Sequence, residues 1–395
     1  MNKQLATSLS ELEESGSKRV LRPLSSRQGP EVSVGDVRLQ NFSSNDYLGL
    51  ATEPFLAEAA ITAIAQYGTG AGASRLISGT LAPHSELEFE LARWKQSEAA
   101  LAFSSGYATA LGVLGALAGA GDIVILDKLC HACIIDGARL SGATLRIFPH
   151  NNLDRLESHL RWARNKHPRG RIIIATESVF SMDGDCAPIR EIIELKERYG
   201  AWLLLDEAHA VGVHGENGAG LSDAKGLSDR IEIHMGTLSK ALGCAGGYVC
   251  GSQTLVEWLT NKARSFMFST APPPAQAAVG AAAVRWMGTE AAAQRRHLLW
   301  SNIRHFHMCA NLSHQPQSAI VPLIVGENEA ALSASEALQT ASSAGDLGFW
   351  VPAIRYPTVP KGTARLRVTL SAAHSQKAIE SLGCALQRIS LNQST

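Results

Sequence analysis

The sequence predicts an α/β protein with a mostly parallel seven-stranded sheet, helices on both faces, and a smaller α+β C-terminal domain. Three observations predict it. Short β-rich segments recur between residues 99 and 251, most of them continuous apolar runs, as expected of strands buried on both faces. Segments with apolar residues near the helical period lie between many of them, giving the strand–helix alternation of a layered α/β domain. The chain then changes character at Pro272-Pro273-Pro274, where prolines end an element.

Taken in order, a helix is expected over Leu5–Glu14 and a strand over Val37–Phe42, forming an arm of residues 1–47 that packs on the small domain. The large domain, 48–282, carries the strands Ala99–Ser104, Asp122–Asp127, Thr144–Phe148, Arg171–Glu177, Trp202–Asp206, Ile231–Gly236 and Gly247–Gly251, with helices at Leu153–Asn165 and Ile189–Tyr199. The small domain, 283–395, opens with an Ala-rich helical stretch running to about His297. It continues through Ile320–Val325, a helix over Glu329–Ser343, strands at Gly348–Ile354 and Ala364–Ser371, and a last helix over Ser375–Ile389.

Bulk properties exclude several classes of function. Of 395 residues, 45% are hydrophobic and 18% charged, which supports a large core. Lys+Arg and Asp+Glu both number 36, so no net charge recruits nucleic acid or an anionic membrane. The segment up to Val20 carries Glu11, Glu13 and Glu14 without an apolar core, unlike a secretory signal. The weakly polar run Ala108–Ala120 is too short for a membrane span. Seven scattered cysteines read as reduced thiols, so a cytoplasmic protein is expected.

In a parallel sheet the ligand site lies at the carboxyl ends of the strands. Five expected strand ends carry chemistry: Phe103-Ser-Ser-Gly106-Tyr107, Asp127-Lys-Leu-Cys-His131, Thr176-Glu177-Ser178, Asp206-Glu207-Ala208-His209 and Gly236-Thr237-Leu-Ser-Lys240. Gly106 and Tyr107 at a helix N-terminus, with the Thr237 hydroxyl, suit a phosphate. Lys240 can form a Schiff base. Asp206 can keep a pyridine nitrogen protonated so that the ring accepts electrons. His131 can stack on the ring face. Together these are the needs of pyridoxal phosphate. Singly, each has a plainer reading: a solvated lysine, an N-capping Asp206, a structural histidine, a turn glycine.

The strings Phe42-Ser-Ser-Asn45-Asp-Tyr47-Leu-Gly-Leu, Glu177-Ser178-Val-Phe-Ser-Met-Asp-Gly-Asp185, Leu205-Asp206-Glu207-Ala208-His209, Gly236-Thr237-Leu-Ser-Lys240 and Ala353-Ile-Arg355-Tyr-Pro-Thr358 resemble the α-oxoamine synthase family. These are fold-type I pyridoxal-phosphate transferases that join an amino acid to an acyl thioester with loss of carbon dioxide. The Arg355 string is most similar to the biotin-pathway branch, which condenses L-alanine with pimeloyl-CoA or pimeloyl-acyl-carrier protein. Cys130 and Cys133 depart from it, standing where serine is usual.

The resemblance implies roles. Lys240 holds the cofactor and serves as general base. Asp206 pairs with the ring nitrogen, and Ser178 and His209 with the ring hydroxyl region. His131 stacks on the ring and polarises the acyl carbonyl. Gly106, Tyr107 and Thr237 hold the phosphate, and Thr270 reaches a phosphate across a homodimer interface. Arg367 with Asn45 binds the amino acid carboxylate. Arg355, Thr358 and Arg22 face the acyl substrate, with Arg19 close enough to compete for the last role.

Within the family, the alternatives are glycine C-acetyltransferase and 5-aminolevulinate synthase, both using glycine. Outside it, Asp206-Glu-Ala-His209 spells the DEAH box of nucleic-acid motors, but Gly68-Thr-Gly-Ala-Gly-Ala-Ser74 lacks the lysine of a phosphate loop. Cys130, His131 and Cys133 have no second pair at zinc spacing, so no metal is expected.

Overall fold

A computed structural model describes residues 1–340 and 347–389. Their strands are β1 (Glu31–Val34), β2 (Val37–Asn41), β3 (Ala99–Phe103), β4 (Ile123–Asp127), β5 (Thr144–Phe148), β6 (Ile172–Glu177), β7 (Trp202–Asp206), β8 (Ile233–Thr237), β9 (Gly247–Gly251), β10 (Ile320–Gly326), β11 (Gly348–Trp350), β12 (Ala353–Ile354) and β13 (Ala364–Thr369). The helices that matter below are α1 (Asn2–Glu14), α2 (Pro54–Tyr67), α3 (Ala82–Trp94), α4 (Gly106–Leu117), α5 (Ala132–Ser141), α6 (Leu153–Lys166), α7 (Ile189–Tyr199) and α8 (Pro274–Met287). No helix among the described residues is long and apolar enough to cross a membrane.

The chain divides into two compact units. The larger comprises Leu50–Ser181 and Asp185–His297, and the smaller Met1–Gly49, Met182–Gly184 and Leu298–Thr395. The large unit therefore extends past the expected boundary at residue 282. The cause is α8, which buries Ala277, Ala281 and Val284 and packs on α2 and α3 of the same unit. A Cβ at Gly280 would come within 3.0 Å of Leu87 on α3, so small residues set that approach.

The large unit holds a seven-stranded sheet in the order β3-β9-β8-β7-β6-β4-β5. The seven are those expected from the sequence, with ends displaced by up to two residues. β4 pairs in parallel with β5 and β6, β6 with β7, and β7 with β8, while β9 runs antiparallel to β8 and β3.

Alternate strand residues feed two cores. Val124, Leu126, Ile173, Ala175, Leu204 and Met235 face the α4/α5 side; Ile123, Ile125, Ile172, Ile174, Leu203 and Leu205 face the α6/α7 side. This two-sided burial is why the strands read as continuous apolar runs. Each fully buried aliphatic side chain contributes about 1.5–3 kcal/mol; truncating Ile125 or Ile174 to Ala would cost about 2–5 kcal/mol.

In the small unit, β1 and β2 form an antiparallel pair that β11 extends in parallel, and β10-β13-β12 form a second, antiparallel sheet. The single strand expected over Gly348–Ile354 is thus two strands in two sheets. Pro352 lies at the break. It has no N–H to continue a ladder, and its carbonyl accepts the N–H of Arg367 at 3.1 Å. The helix expected over Glu329–Ser343 is observed over Asn328–Thr340, and its last three residues fall outside the described residues.

Candidate active site

The carboxyl ends of β4, β6, β7 and β8, with the turn after β3, surround one cavity of about 210 Å³ in the large unit. Its wall includes Gly106, His131, Glu177, Asp206, Thr237 and Lys240, with Tyr107, Cys133, His209 and Ser239 beside them. Parallel register explains the convergence. Glu177 is the partner of Asp206 across β6–β7, and Asp206 of Met235 across β7–β8, so successive strand ends present side chains at one level.

The turn after β3 becomes the N-terminus of α4. Ser105 caps it, its Oγ accepting the Ala108 N–H at 3.1 Å. Gly247 on β9 lies against this turn; a Cβ there would meet Gly106 N at 2.5 Å, so close backbone approach requires glycine. The Thr237 hydroxyl donates to the Gly246 carbonyl at 2.7 Å and lies 2.8 Å from the Ser239 hydroxyl. Free N–H groups of a helix start beside two hydroxyls form an anion cradle.

Asp206 is buried, and its Oδ1 accepts the Ala208 N–H at 2.9 Å. Burial raises its pKa, while Lys240 pulls it back toward the charged form. The next residue turns away: Glu207 is fully buried and pairs with Lys95 at 2.5 Å, and it accepts from the Ser222 hydroxyl at 2.9 Å. Adjacent acids in one string thus have separate tasks, one at the cavity and one inside the fold.

His131 starts α5. Its Nδ1 accepts the Cys133 N–H at 3.3 Å, and its own N–H donates to Glu177 Oε1 at 2.6 Å. Loss of solvent lowers the His131 pKa, with Asp206 opposing and Lys240 assisting, so the ring is neutral at neutral pH and presents a flat apolar face. Burial pushes the Cys133 thiol above its ordinary range, which makes it a packing group and not a nucleophile. Among the described residues no group of three or more His, Cys, Asp or Glu is arranged to hold a metal ion.

Two sequence candidates do not line this cavity. Ser178 follows Glu177 and donates its N–H to the Asp206 carbonyl at 2.8 Å; its buried Oγ has no hydrogen-bond partner among the described residues. Thr270 is exposed, bridged to Ser74 beside the exposed Phe268 and Ile77.

The remaining candidates belong to the small unit. Arg367 is buried, donating to Asn45 Oδ1 at 3.1 Å and Thr369 Oγ1 at 3.0 Å. A second cavity of about 650 Å³ is lined by Lys18, Arg19, Arg22, Trp350 and Arg355 among others. Here the structure separates the two N-terminal arginines. Arg19 donates to Thr358 Oγ1 at 2.9 Å, whereas the Arg22 guanidinium lies over the Trp350 ring at 5.7 Å. Arg355 donates to the Gly16 carbonyl, and burial together with the Arg19 charge lowers its pKa.

Sequence reasoning quoted Glu177 without giving it a role. It also missed a half-buried ladder anchored on the buried Asp127 beneath the His131 loop. His150 bridges Asp127 (Nδ1 to Oδ1, 3.0 Å) and Asp185 (Nε2 to Oδ2, 2.8 Å), and Asp127 also accepts the N–H groups of Leu129 and Asn151 at 2.8 Å. Burial opposes the charge on His150, but both carboxylates outweigh it and push its pKa up to about 10. The only signal was three dispersed polar residues, which no local pattern connects.

The large-unit donor set fits pyridoxal phosphate: an anion cradle, a buried carboxylate for a ring nitrogen, an uncharged imidazole, and a lysine on the wall.

Comparison with known proteins agrees. Residues 38–386 match the family of class I and II aminotransferases. The chain is 44% identical over 395 residues to an 8-amino-7-oxononanoate synthase of Anaeromyxobacter dehalogenans, covering 98% of this chain and 95% of the relative. It is 45% identical over 381 residues to the protein of that name from Methylobacterium nodulans, covering 96% and 95%. Among solved structures, a serine palmitoyltransferase from S. paucimobilis with a bound PLP–myriocin aldimine superposes with a TM-score of 0.90 at 30% identity, covering 98% and 96%. An 8-amino-7-oxononanoate synthase from Francisella tularensis gives 0.72 at 26%, covering 88% and 97%.

Proposed function

The chain belongs to the aminotransferase class I and II family and within it to the α-oxoamine synthases, and from that premise we propose that it condenses L-alanine with a pimeloyl thioester, releasing carbon dioxide and the free thiol, to form 8-amino-7-oxononanoate. The observation that carries this reading is the convergence of Lys240, Asp206, His131 and the α4 N-terminus on one cavity. Similarity to enzymes of that name over nearly the whole chain supports the choice of reaction.

When bound, pyridoxal phosphate supplies an electron sink for the charge left at the amino acid's α-carbon and, after condensation, at the carbon that loses carbon dioxide. The chain's residues do the rest. The α4 N-terminus with Thr237 and Ser239 holds the phosphate. Asp206 keeps a proton on the ring nitrogen, because a buried carboxylate favours a cation beside it. Lys240 carries the cofactor and, once displaced by the substrate amine, takes the α-proton on Nζ. His131 covers the ring and excludes water from one face. His209, on the cavity wall, serves the ring-hydroxyl side, and Ser178, whose buried Oγ has no partner among the described residues, stands behind that wall next to Glu177.

Arg367, held by Asn45 and Thr369, receives the amino acid carboxylate. Arg19, Arg355 and Thr358 receive the distal carboxylate of the acyl chain; Arg19 is favoured over Arg22 because it is the one that reaches Thr358. A second copy of this chain is expected to cover the exposed Ile77 and Phe268 beside Thr270.

The test is turnover with pimeloyl-CoA and either L-alanine or glycine, with products read by mass spectrometry. The reading predicts 8-amino-7-oxononanoate and one carbon dioxide per free thiol with L-alanine. Preference for glycine would replace it with a glycine-using reaction.

A further inference from the structure

Two carboxyl groups stand side by side at the floor of the cofactor cavity, and the mechanism above uses only one. Glu177 ends β6 and Asp206 ends β7, in parallel register, and both are buried. Glu177 Oε1 accepts the His131 N–H at 2.6 Å, and its carboxyl group also receives the N–H of Ser181. One side chain therefore joins the loop after β4, which presents His131, to the turn after β6. On the cavity wall the cation facing both acids is Lys240, and Lys240 exchanges partners during the reaction.

Electrostatics then decides the charge. Two buried carboxylates on neighbouring strands repel strongly, so the second to ionise does so with difficulty. A second anion would also oppose the phosphate held at the α4 N-terminus on the same cavity wall. Resting on the pyridoxal-phosphate reading, we propose that Glu177 is a positioning residue that fixes His131 at the cavity through its backbone N–H and shares the floor with Asp206 such that one carboxyl is ionised and the other, Glu177, is protonated.

Asp206 keeps the charge because it is the group that faces the ring nitrogen. Burial and the Asp206 charge push Glu177 up to about 8, against Lys240 and the two N–H groups. The other titratable groups facing it are His131 at the start of α5 and the thiols of Cys130 and Cys133. Burial keeps both thiols protonated through neutral pH.

The inference assigns distinct consequences to the two halves of the carboxyl group. Glu177→Gln keeps an oxygen for the N–H groups but cannot ionise. Glu177→Leu removes both. The experiment follows visible circular dichroism and cofactor release of the holoenzyme from about pH 6 to about pH 10, bracketing the expected midpoint. Wild type should change dichroism and release cofactor faster through a midpoint near 8. Glu177→Gln should keep the neutral-pH dichroism and lose that transition. Glu177→Leu should weaken the dichroism at every pH and release the cofactor about tenfold faster, as expected for losing a buried hydrogen bond; far-ultraviolet dichroism checks that it folds.

An unchanged alkaline transition in Glu177→Gln, or no transition in wild type, overturns the protonation claim. Wild-type dichroism in a folded Glu177→Leu overturns the positioning claim. Absence of any visible band in wild type supplied with cofactor would instead overturn the underlying reading of the site.

Discussion

The two edges of the seven-stranded sheet each carry a cavity, and they differ in kind. At the amino edge a groove of about 620 Å³ is lined by Trp202, Trp258, Leu117, Leu255 and the ends of β8 and β9. At the carboxyl edge the cavity is only about 210 Å³, yet it gathers a lysine, two buried acids, two histidines and a helix N-terminus. Two of the three amino-edge acids are already committed: Glu232 pairs with Lys196 at 2.5 Å, and Glu98 accepts the Gln253 N–H at 2.9 Å. Room does not make a site. What distinguishes the small cavity is strand polarity, which delivers one functional side chain per strand end to the same place.

The contrast is broken most sharply by exchanging alanine across the two edges. Lys240→Ala should cost on the order of 10³-fold or more in turnover, since it removes both cofactor attachment and base. Trp258→Ala, at the larger cavity, should stay within about twofold. Comparable losses would mean that the groove takes part in the reaction. Asp206→Asn should come next, at roughly 10²-fold in kcat, with cofactor still bound; rate constants together with absorbance separate lost chemistry from lost cofactor.

Arg19→Ala sharpens the comparison within the small unit. It should raise KM for the acyl thioester about tenfold with little change in kcat, as expected for a charge-assisted contact made equally in ground and transition state. Arg22→Ala, whose guanidinium rests on Trp350, should do less. The reverse order would restore Arg22 to the acyl role.

The smallest effect concerns the ladder below the His131 loop. The folded pKa of His150 is raised to about 10 from an ordinary value of 6.5. Its contribution to stability is therefore complete below the ordinary value and is lost as pH rises through about 10. Urea unfolding should show His150→Ala destabilised by about 1–2 kcal/mol at mildly acidic pH, discounted for a partly exposed ring. The gap should shrink in strongly alkaline buffer, whereas a constant gap would make His150 a packing residue.

Most of the fold was legible because burial on both faces writes itself into consecutive apolar residues. Most of the seven sheet strands were visible this way, including the antiparallel β9, although direction itself leaves no trace in a short run; the edge strand β5 is only partly buried and showed itself by its β-rich residues instead. The small unit was less legible: β11 and β12 read as one strand because a single proline sends them to different sheets. At the site, strand-end position located Lys240, Asp206, His131 and Gly106, since those signals are local. The work of Glu177 and the Asp127–His150–Asp185 ladder depends on register between strands far apart in sequence. Choosing Arg19 over Arg22 needed the path of the chain between Gly16 and Trp350, which two nearby arginines do not reveal.

The most direct test of the central claim is chemical. Protein incubated with pyridoxal phosphate is reduced with borohydride, digested and mapped by mass spectrometry. The account predicts a phosphopyridoxyl group on the peptide containing Lys240. Labelling confined to another lysine, or no labelling at all, would contradict it.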